Sequence, residues 1–417
     1  MARIERFHFS HSRKIDSAYQ YVSEAARAGV ILQSADSGAG RHVVIDGRSL
    51  LNFGSCSYMG LQELPELREG AHRAIDEYGT QFHFSRAYLQ CPLYAELDSL
   101  LRNIAGRPVV VAPSTSLAHI AALPVLVRDG DHMIIDQFAH ASLHTAVQLL
   151  SKVPLDIVRH NRMQALEAKL LELRNVPGNV WYIADGLYSM LGDFAPFAEL
   201  KQLLDRFPKL RLYLDDAHSI SWLGRCGRGP ALEHFANDDR VVVVMSLNKA
   251  FSAAGGALAV PSEEIAARIR QCGGPMLFSG PIQPPMLGAA VASARLHISP
   301  KLGLLQSELH ARLQACAVGI RKHGLALAND ALTPIFQVQC DSPRIVFDVA
   351  EQMQERGFYC CVCVFPAVPM NRPGLRFTVT RHNTLQDIEE FVPALAECVA
   401  NARGKRRMES GISVAAS

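Results

Sequence analysis

Short apolar runs alternate with amphipathic stretches through the middle of the chain. The runs "RPVVVAP" (107–113), "DHMIID" (131–136), "LDIVRH" (155–160), "NVWYIAD" (179–185), "LRLYLDD" (210–216) and "VVVVMS" (241–246) are rich in β-branched residues. They are bounded by polar turns and are too short for helices, so each predicts a strand. Between them "SLAHIAALPVLV", "ASLHTAVQLLSK" and "MQALEAKLLELR" carry apolar residues at helical spacing. Strands alternating with helices predict an α/β fold with a mainly parallel sheet covered on both faces. Upstream, Leu64, Leu67, Ala71, Ala74, Ile75 and Tyr78 form one helical face, and Gly79 is placed to end that helix.

After about residue 285 the pattern changes. A long helical stretch to about 325 precedes shorter strands in "PIFQVQC", "YCCVCVFP" and "LRFTVT", then a helix opening at Thr384 as N-cap. The reading is an N-terminal segment 1–55, a large domain 56–290, a smaller α+β domain 291–400, and a tail 401–417 expected to be disordered.

Composition narrows the function little. The chain has 417 residues, is 49% hydrophobic and 20% charged, and carries a formal charge of +2. Such a balance gives no reason to expect nucleic acid as a partner. No apolar stretch is long enough to suggest a membrane span, and the polar N-terminus lacks a signal-peptide core. The ten cysteines show no regular framework and are expected to be reduced thiols of a cytoplasmic protein. The "CCVC" run (Cys360, Cys361, Cys363) fits no common zinc spacing and reads as small hydrophobes in a strand, so no metal is expected.

In a parallel α/β sheet, ligands sit beyond the carboxyl ends of the strands. Residues there are Ser114, Thr115 and Ser116; Asp136 and His140; Asp185, Gly186 and Ser189; Asp215, Asp216 and His218; and Ser246, Asn248 and Lys249. Taken singly, each has a plain structural explanation. A strand-end aspartate often caps the next helix, and a lone lysine is normally a solvated surface group. Together they suit pyridoxal 5'-phosphate. That cofactor needs an amine for its aldehyde, a carboxylate for its ring nitrogen, a flat group on its ring face, and hydroxyls and helix N-termini for its phosphate.

Seven motifs in order, "LNFGSCSYMGL", "YGTQFHFSR", "FAHASLHTA", "DGLYSMLGDFAPFAEL", "LDDAHSISWLGRCGRG", "SLNKAFSAAGG" and "LRFTVTRHNTLQDIEEFV", make the chain resemble the α-oxoamine synthases. These are pyridoxal-phosphate enzymes of fold type I (aminotransferase class II) that join an amino acid to an acyl thioester with loss of CO2. The resemblance spans roughly residues 45–400 and implies a mainly parallel, seven-stranded-type sheet sandwiched by helices. It implies that Lys249 forms the Schiff base and moves the α-proton. Asp215 would pair with the ring nitrogen, His218 with the phenolic oxygen together with Ser189, and His140 would stack on the ring. Ser246 and the loop Ser114, Thr115 and Ser116 would hold the phosphate. Arg376 and Asn52 would hold the substrate carboxylate. Ser279, in "LFSGPIQPP", would reach the phosphate of a partner subunit, making a homodimer with shared sites.

The sequence departs from the family pattern at several points. Thr115 stands where the phosphate loop usually has glycine, bulky Phe82, His83 and Phe84 precede "SR", Asp216 shortens the usual "DEAH", and Asn248 precedes the lysine. "SRAYLQCPLYAELDSLL" with "APSTSLAHIAALPVL" is more similar to the branch making α-hydroxyketone quorum-sensing signals than to the biotin or haem branches. An aminotransferase, or a lyase cleaving a β-hydroxy amino acid, would use Lys249 and Asp215 equally well. A non-catalytic binding protein on the same fold would be expected to have lost one of them.

Overall fold

The computed structural model describes residues 11–38 and 40–415. Its strands are β1 (His42–Ile45), β2 (Arg48–Asn52), β3 (Val109–Ala112), β4 (His132–Asp136), β5 (Leu155–Val158), β6 (Val180–Asp185), β7 (Leu210–Asp215), β8 (Val241–Ser246), β9 (Gly256–Ala259), β10 (Ile335–Gln339), β11 (Phe358–Tyr359), β12 (Cys361–Cys363) and β13 (Gly374–Thr378). Its helices are α1 (His11–Arg27), α2 (Pro65–Tyr78), α3 (Leu93–Ala105), α4 (Thr115–Leu126), α5 (Ala141–Gln148), α6 (Met163–Glu172), α7 (Phe197–Arg206), α8 (Pro230–Phe235), α9 (Glu263–Cys272), α10 (Gly274–Phe278), α11 (Pro284–His297), α12 (Lys301–Lys322), α13 (Pro343–Glu355) and α14 (Leu385–Ala415).

The chain divides into two units. The larger holds residues 56–311 and 380–382. It is built on a seven-stranded sheet in the order β3-β9-β8-β7-β6-β4-β5. Strands β4 to β8 pair in parallel, whereas β9 runs antiparallel to both β8 and β3. Alternate residues of each strand enter opposite cores. Val241, Val243 and Met245 pack with Leu97, Leu203 and Leu287, while Val242 and Val244 pack with Ala122, Leu143 and Ile269. Burial on both faces is why these strands read as unbroken apolar runs rather than alternating ones.

The strand β9 is not foreseen by the apolar pattern. Its sequence "GALA" has no β-branched residue, and only its pairing between β3 and β8 makes it a strand. The helix expected from 285 to 325 is two helices, interrupted at "ISP" before Lys301. The first, α11, lies against α2 in the large unit. A Cβ on Gly288 would stand 2.1 Å from the Gly70 carbonyl oxygen, so only glycine lets these backbones meet. That packing keeps residues beyond 290 with the larger unit, and the division falls at Ala311, within α12.

Among the described residues, the smaller unit joins 11–38 and 40–55 to 312–379 and 383–415. The β1–β2 hairpin turns at Asp46 and Gly47, both at positive φ, and β11 extends it in parallel. A second sheet has the order β10-β13-β12. Phe53 stacks on Phe391 with ring centroids 3.9 Å apart, and Phe358 and Phe377 complete an apolar core. Arg41 pairs with Asp387 at 2.6 Å, fastening the N-terminal segment to α14. Thr384 accepts the Asp387 N–H at 3.0 Å, as expected of an N-cap. Helix α14 runs to Ala415, through the stretch read from sequence as disordered. Cys360 and Cys363 are buried, and burial pushes both thiols well above their ordinary range.

Candidate active site

Parallel pairing brings the carboxyl ends of β4, β6, β7 and β8 to one edge of the sheet. A cavity of about 250 Å³ opens there. It is lined by Ser114, Thr115, Ser116, His140, Ser142, Asp185, Asp215, His218, Ser246, Asn248 and Lys249. The site residues placed in the large unit thus converge, except Ser189 and Ser279. Ser189 lies half-buried in the β6–α7 loop, outside the lining. Ser279 follows α10, and its hydroxyl donates to the Pro275 carbonyl at 2.5 Å. Asn52 and Arg376 belong to the smaller unit. Asn52 accepts the Gly54 N–H at 3.0 Å, and Arg376 sits buried on β13 opposite Cys361.

Lys249 leaves the end of β8 half-buried; its carbonyl accepts the Ser252 N–H at 2.9 Å, and its side-chain amine has no hydrogen bond or ion pair among the described residues. The strand before it is fully buried, so its position follows from the apolar run 241–245. Asn248 fixes the turn behind it. Its side-chain oxygen accepts the Gly255 N–H at 2.6 Å, and its own N–H donates to Ser246 Oγ at 3.2 Å.

Asp215 ends β7 and is buried. One carboxylate oxygen accepts the Ala217 N–H at 3.1 Å, and the other meets His119 Nε2 at 2.9 Å. His119 is fully buried on α4, with Nδ1 3.0 Å from the Tyr213 hydroxyl. The ionised Asp215 can only accept, so Nε2 carries a proton toward it, which in the neutral ring leaves Nδ1 to accept from the Tyr213 phenol that burial keeps protonated. Burial alone would raise the Asp215 carboxyl. His119 and the nearby Lys249 charge more than offset that and hold it below its ordinary value.

Asp185 is its opposite number on β6, in register with Asp215. Burial and then the Asp215 charge push Asp185 well above its ordinary value. The cavity therefore holds two carboxyl groups whose pKa values are pushed apart, Asp215 downward and Asp185 upward. Asp185 also accepts the His140 N–H at 2.9 Å, which sets the start of α5. The His140 ring lies at the cavity edge, bonded to Ser142 Oγ at 2.7 Å. Desolvation by the surrounding protein pushes it below the usual imidazole value, with Asp215 opposing. His218 is held at Nδ1 by the buried Tyr58 hydroxyl at 2.7 Å. Asp216 faces away from this chemistry. It accepts from Ser219 and from the Ala231 N–H, bracing the following loop, and burial raises its pKa to about 7.

The phosphate end is shaped by α4. Ser114 caps the helix by accepting the Leu117 N–H at 3.1 Å, so the first-turn amides of Thr115 and Ser116 are left for a ligand. Gly256 lets β9 press against this loop, since a Cβ there would lie 2.7 Å from the Thr115 nitrogen. An unpartnered amine, a carboxylate held ionised from behind and a helix N-terminus on one cavity fit pyridoxal phosphate.

A model of the aminotransferase class I and II family matches residues 48–395. The chain belongs to that family. It is 30% identical over 357 residues to the 8-amino-7-oxononanoate synthase of Treponema denticola, covering 84% of this chain and 87% of the relative. Against the enzyme of the same name from Stutzerimonas stutzeri it is 32% identical over 365 residues, covering 87% and 91%. The serine palmitoyltransferase of Sphingomonas wittichii superposes with a TM-score of 0.85 at 21% identity, over 94% of this chain and 99% of that one. An 8-amino-7-oxononanoate synthase structure from Francisella tularensis superposes at 0.70 and 20% identity, over 84% and 98%. This family member is a pyridoxal-phosphate-dependent acyltransferase of the α-oxoamine synthase type. Among the described residues no helix is long and apolar enough to cross a membrane.

Sequence reasoning missed His119, Tyr58 and the positioning role of Asp185. His119 sits within an apolar helical stretch and reads as core. Tyr58 belongs to a quoted motif, but nothing in its spacing ties it to His218.

Proposed function

We propose that this chain condenses an amino acid with an acyl thioester, releasing CO2 and thiol, to give an α-aminoketone. Lys249, an unpartnered amine lining the same cavity as the His119-supported Asp215, supports the cofactor chemistry, and the similarity to 8-amino-7-oxononanoate synthases is the observation that favours condensation over transamination. When bound, pyridoxal phosphate supplies the electron sink. Lys249 holds its aldehyde carbon and Asp215 its ring nitrogen. His218 and Ser189 serve the phenolic oxygen, His140 covers the ring face, and Ser114, Thr115, Ser116 and Ser246 take the phosphate. Arg376 and Asn52 hold the substrate carboxylate. Lys249 Nζ, once the amino acid's amine has replaced it at the aldehyde carbon, would take the α-proton of the amino acid. The α-carbon bonds to the thioester carbonyl, the thiol leaves, and the substrate carboxylate departs as CO2. Lys249 finally returns a proton to the α-carbon.

A homodimer with Ser279 reaching the partner's phosphate completes this reading. Tyr88 and Phe278, 89% and 86% exposed, give the large unit apolar surface near Ser279 that suits a second copy. The compound 8-amino-7-oxononanoate has the skeleton expected from alanine and a seven-carbon dicarboxylic monothioester, so that pair is the first to try. The test adds each amino acid to the purified holoenzyme, follows cofactor absorbance, then adds acyl thioesters of varied length. Release of CO2 and free thiol in equal amounts supports the reading. Conversion of the cofactor to its amine form by an amino acid, with no CO2, replaces it with transamination.

A further inference from the structure

Behind the cavity edge, three strand-end loops meet at one histidine. His160 follows β5, at the outer end of the sheet, and contributes nothing to the cavity lining. Its Nδ1 lies 3.0 Å from Asp136 Oδ1 and its Nε2 2.8 Å from Asp193 Oδ2. Both ring nitrogens therefore face carboxylate oxygens, an arrangement that a neutral imidazole, with one N–H, cannot satisfy. The ring stacks on Phe138, with centroids 4.6 Å apart, and meets Tyr188 edge-on at 4.3 Å.

Each partner belongs to a different loop. Asp136 ends β4 and accepts the Phe138 N–H at 2.8 Å, two residues before His140. It also accepts the Asn161 N–H at 2.9 Å and the Tyr182 hydroxyl at 3.3 Å. Asp193 closes the β6–α7 loop, where its carbonyl accepts the Tyr188 N–H at 2.9 Å. Asn161 Nδ2 donates to Asp193 at 2.9 Å. We propose that His160, as a cation held between Asp136 and Asp193, is the positioning residue that fixes the loop carrying His140 and the β6–α7 loop at the cavity. The relevance to catalysis rests on the cavity being the cofactor site; the clamp itself does not.

Charge fixes when the clamp exists. Burial opposes the charged ring, but Asp136 and Asp193 outweigh it and raise His160 to about 9. Burial likewise opposes the Asp136 carboxylate, and His160 more than offsets it, leaving that group below its ordinary value. The Tyr188 ring meets His160 and the Tyr182 phenol meets Asp136, and burial keeps both phenols protonated. The histidine's stabilisation is complete below its unfolded pKa and is lost as pH rises through about 9.

The test compares wild type with His160→Gln, His160→Gln/Asp193→Asn and Asp193→Asn by amide hydrogen exchange, corrected for intrinsic rates, with and without cofactor. Losing a charge-assisted bond predicts about tenfold or greater loss of protection in residues 137–141 and 186–193 of His160→Gln, with β10 and β13 unchanged. Adding Asp193→Asn removes a facing carboxylate and restores part of the protection. In wild type the same segments lose protection with a midpoint near pH 9, and Asp193→Asn, which folds if His160→Gln does not, moves that midpoint lower. Unchanged or uniformly lowered protection in His160→Gln, or an unmoved midpoint in Asp193→Asn, overturns the proposal. With cofactor bound, His160→Gln also lowers its induced circular dichroism. Normal dichroism alongside lost protection overturns the positioning role but leaves the function proposed above intact.

Discussion

Replacing His119 separates the carboxylate that would touch the cofactor from the group that keeps it charged. His119→Phe keeps an aromatic ring in a fully buried position but removes the 2.9 Å donor to Asp215. A hydrogen bond to a charged group contributes about 1.5–3 kcal/mol. At about 1.4 kcal/mol per pKa unit, its loss raises the Asp215 carboxyl by about 1–2 units. Lys249 and the Ala217 amide remain, so Asp215 still ionises, its pKa moving from about 2 to about 3–4 and its charge failing only at clearly acid pH. The variant also strands the Tyr213 hydroxyl, a buried donor whose loss of partner costs about 1–3 kcal/mol of stability.

The assay is a pH titration of the bound cofactor's absorbance from about pH 3 to about pH 8, with cofactor affinity measured by equilibrium dialysis. A lowered native pKa stabilises the ionised site above the ordinary carboxylate value and loses that effect as pH falls. The expected result is an acidic limb moved up by about 1–2 units and cofactor affinity weakened about tenfold at the acid end. His119→Asn, which retains an amide donor, should fall between wild type and His119→Phe. A folded His119→Phe variant with the wild-type pH profile and affinity would refute the view that His119 holds Asp215 charged.

Three further outcomes are expected. Lys249→Ala should abolish the cofactor adduct fixed by borohydride reduction, and mass spectrometry showing an undiminished adduct would remove Lys249 from its role. Gly256→Ala places a methyl 2.7 Å from the Thr115 nitrogen, so cofactor affinity should drop by about tenfold or more while the wild-type secondary structure is retained by circular dichroism. His297 is fully buried against Phe251, and burial lowers its pKa to about 4, so its unfolded form takes up a proton first as pH falls. Stability should therefore decline between about pH 6.5 and about pH 4, by about 3 kcal/mol from this group, and denaturant melts of His297→Phe should lack that component.

The sequence made the sheet legible because its strands are buried on both faces. Long β-branched runs such as 241–246 have no other common use in a soluble chain. Their carboxyl ends then pointed to Asp215, His140, His218, Ser246 and Lys249 without any knowledge of side-chain contacts. Strand β9 was not legible, because glycine and alanine carry no β signal and its order comes from neighbours on both sides. The assembly of residues 1–55 with the C-terminal segment was also hidden. It depends on pairs such as Arg41 with Asp387, far apart in sequence and ordinary in composition.

The site shows the same division one layer deeper. Groups that line the cavity sit at strand ends and can be read by position. Groups that hold them, His119 behind Asp215 and Tyr58 behind His218, come from unrelated segments and look like core residues until the chain is folded, and Asp185, though placed by its strand end, gives no sign in sequence of its bond to the His140 amide. The run after Lys249 illustrates the difference. Its small residues suggest space for a ligand, but Gly255 and Gly256 are filled from within. A Cβ on Gly255 would strike Ile282, and one on Gly256 would strike the Ser114–Thr115 backbone. Asn248 closes the same turn through the Gly255 amide. The glycines thus act on the cofactor site indirectly, by letting β9 support the phosphate loop, and a side chain there would move Thr115 before it met any ligand.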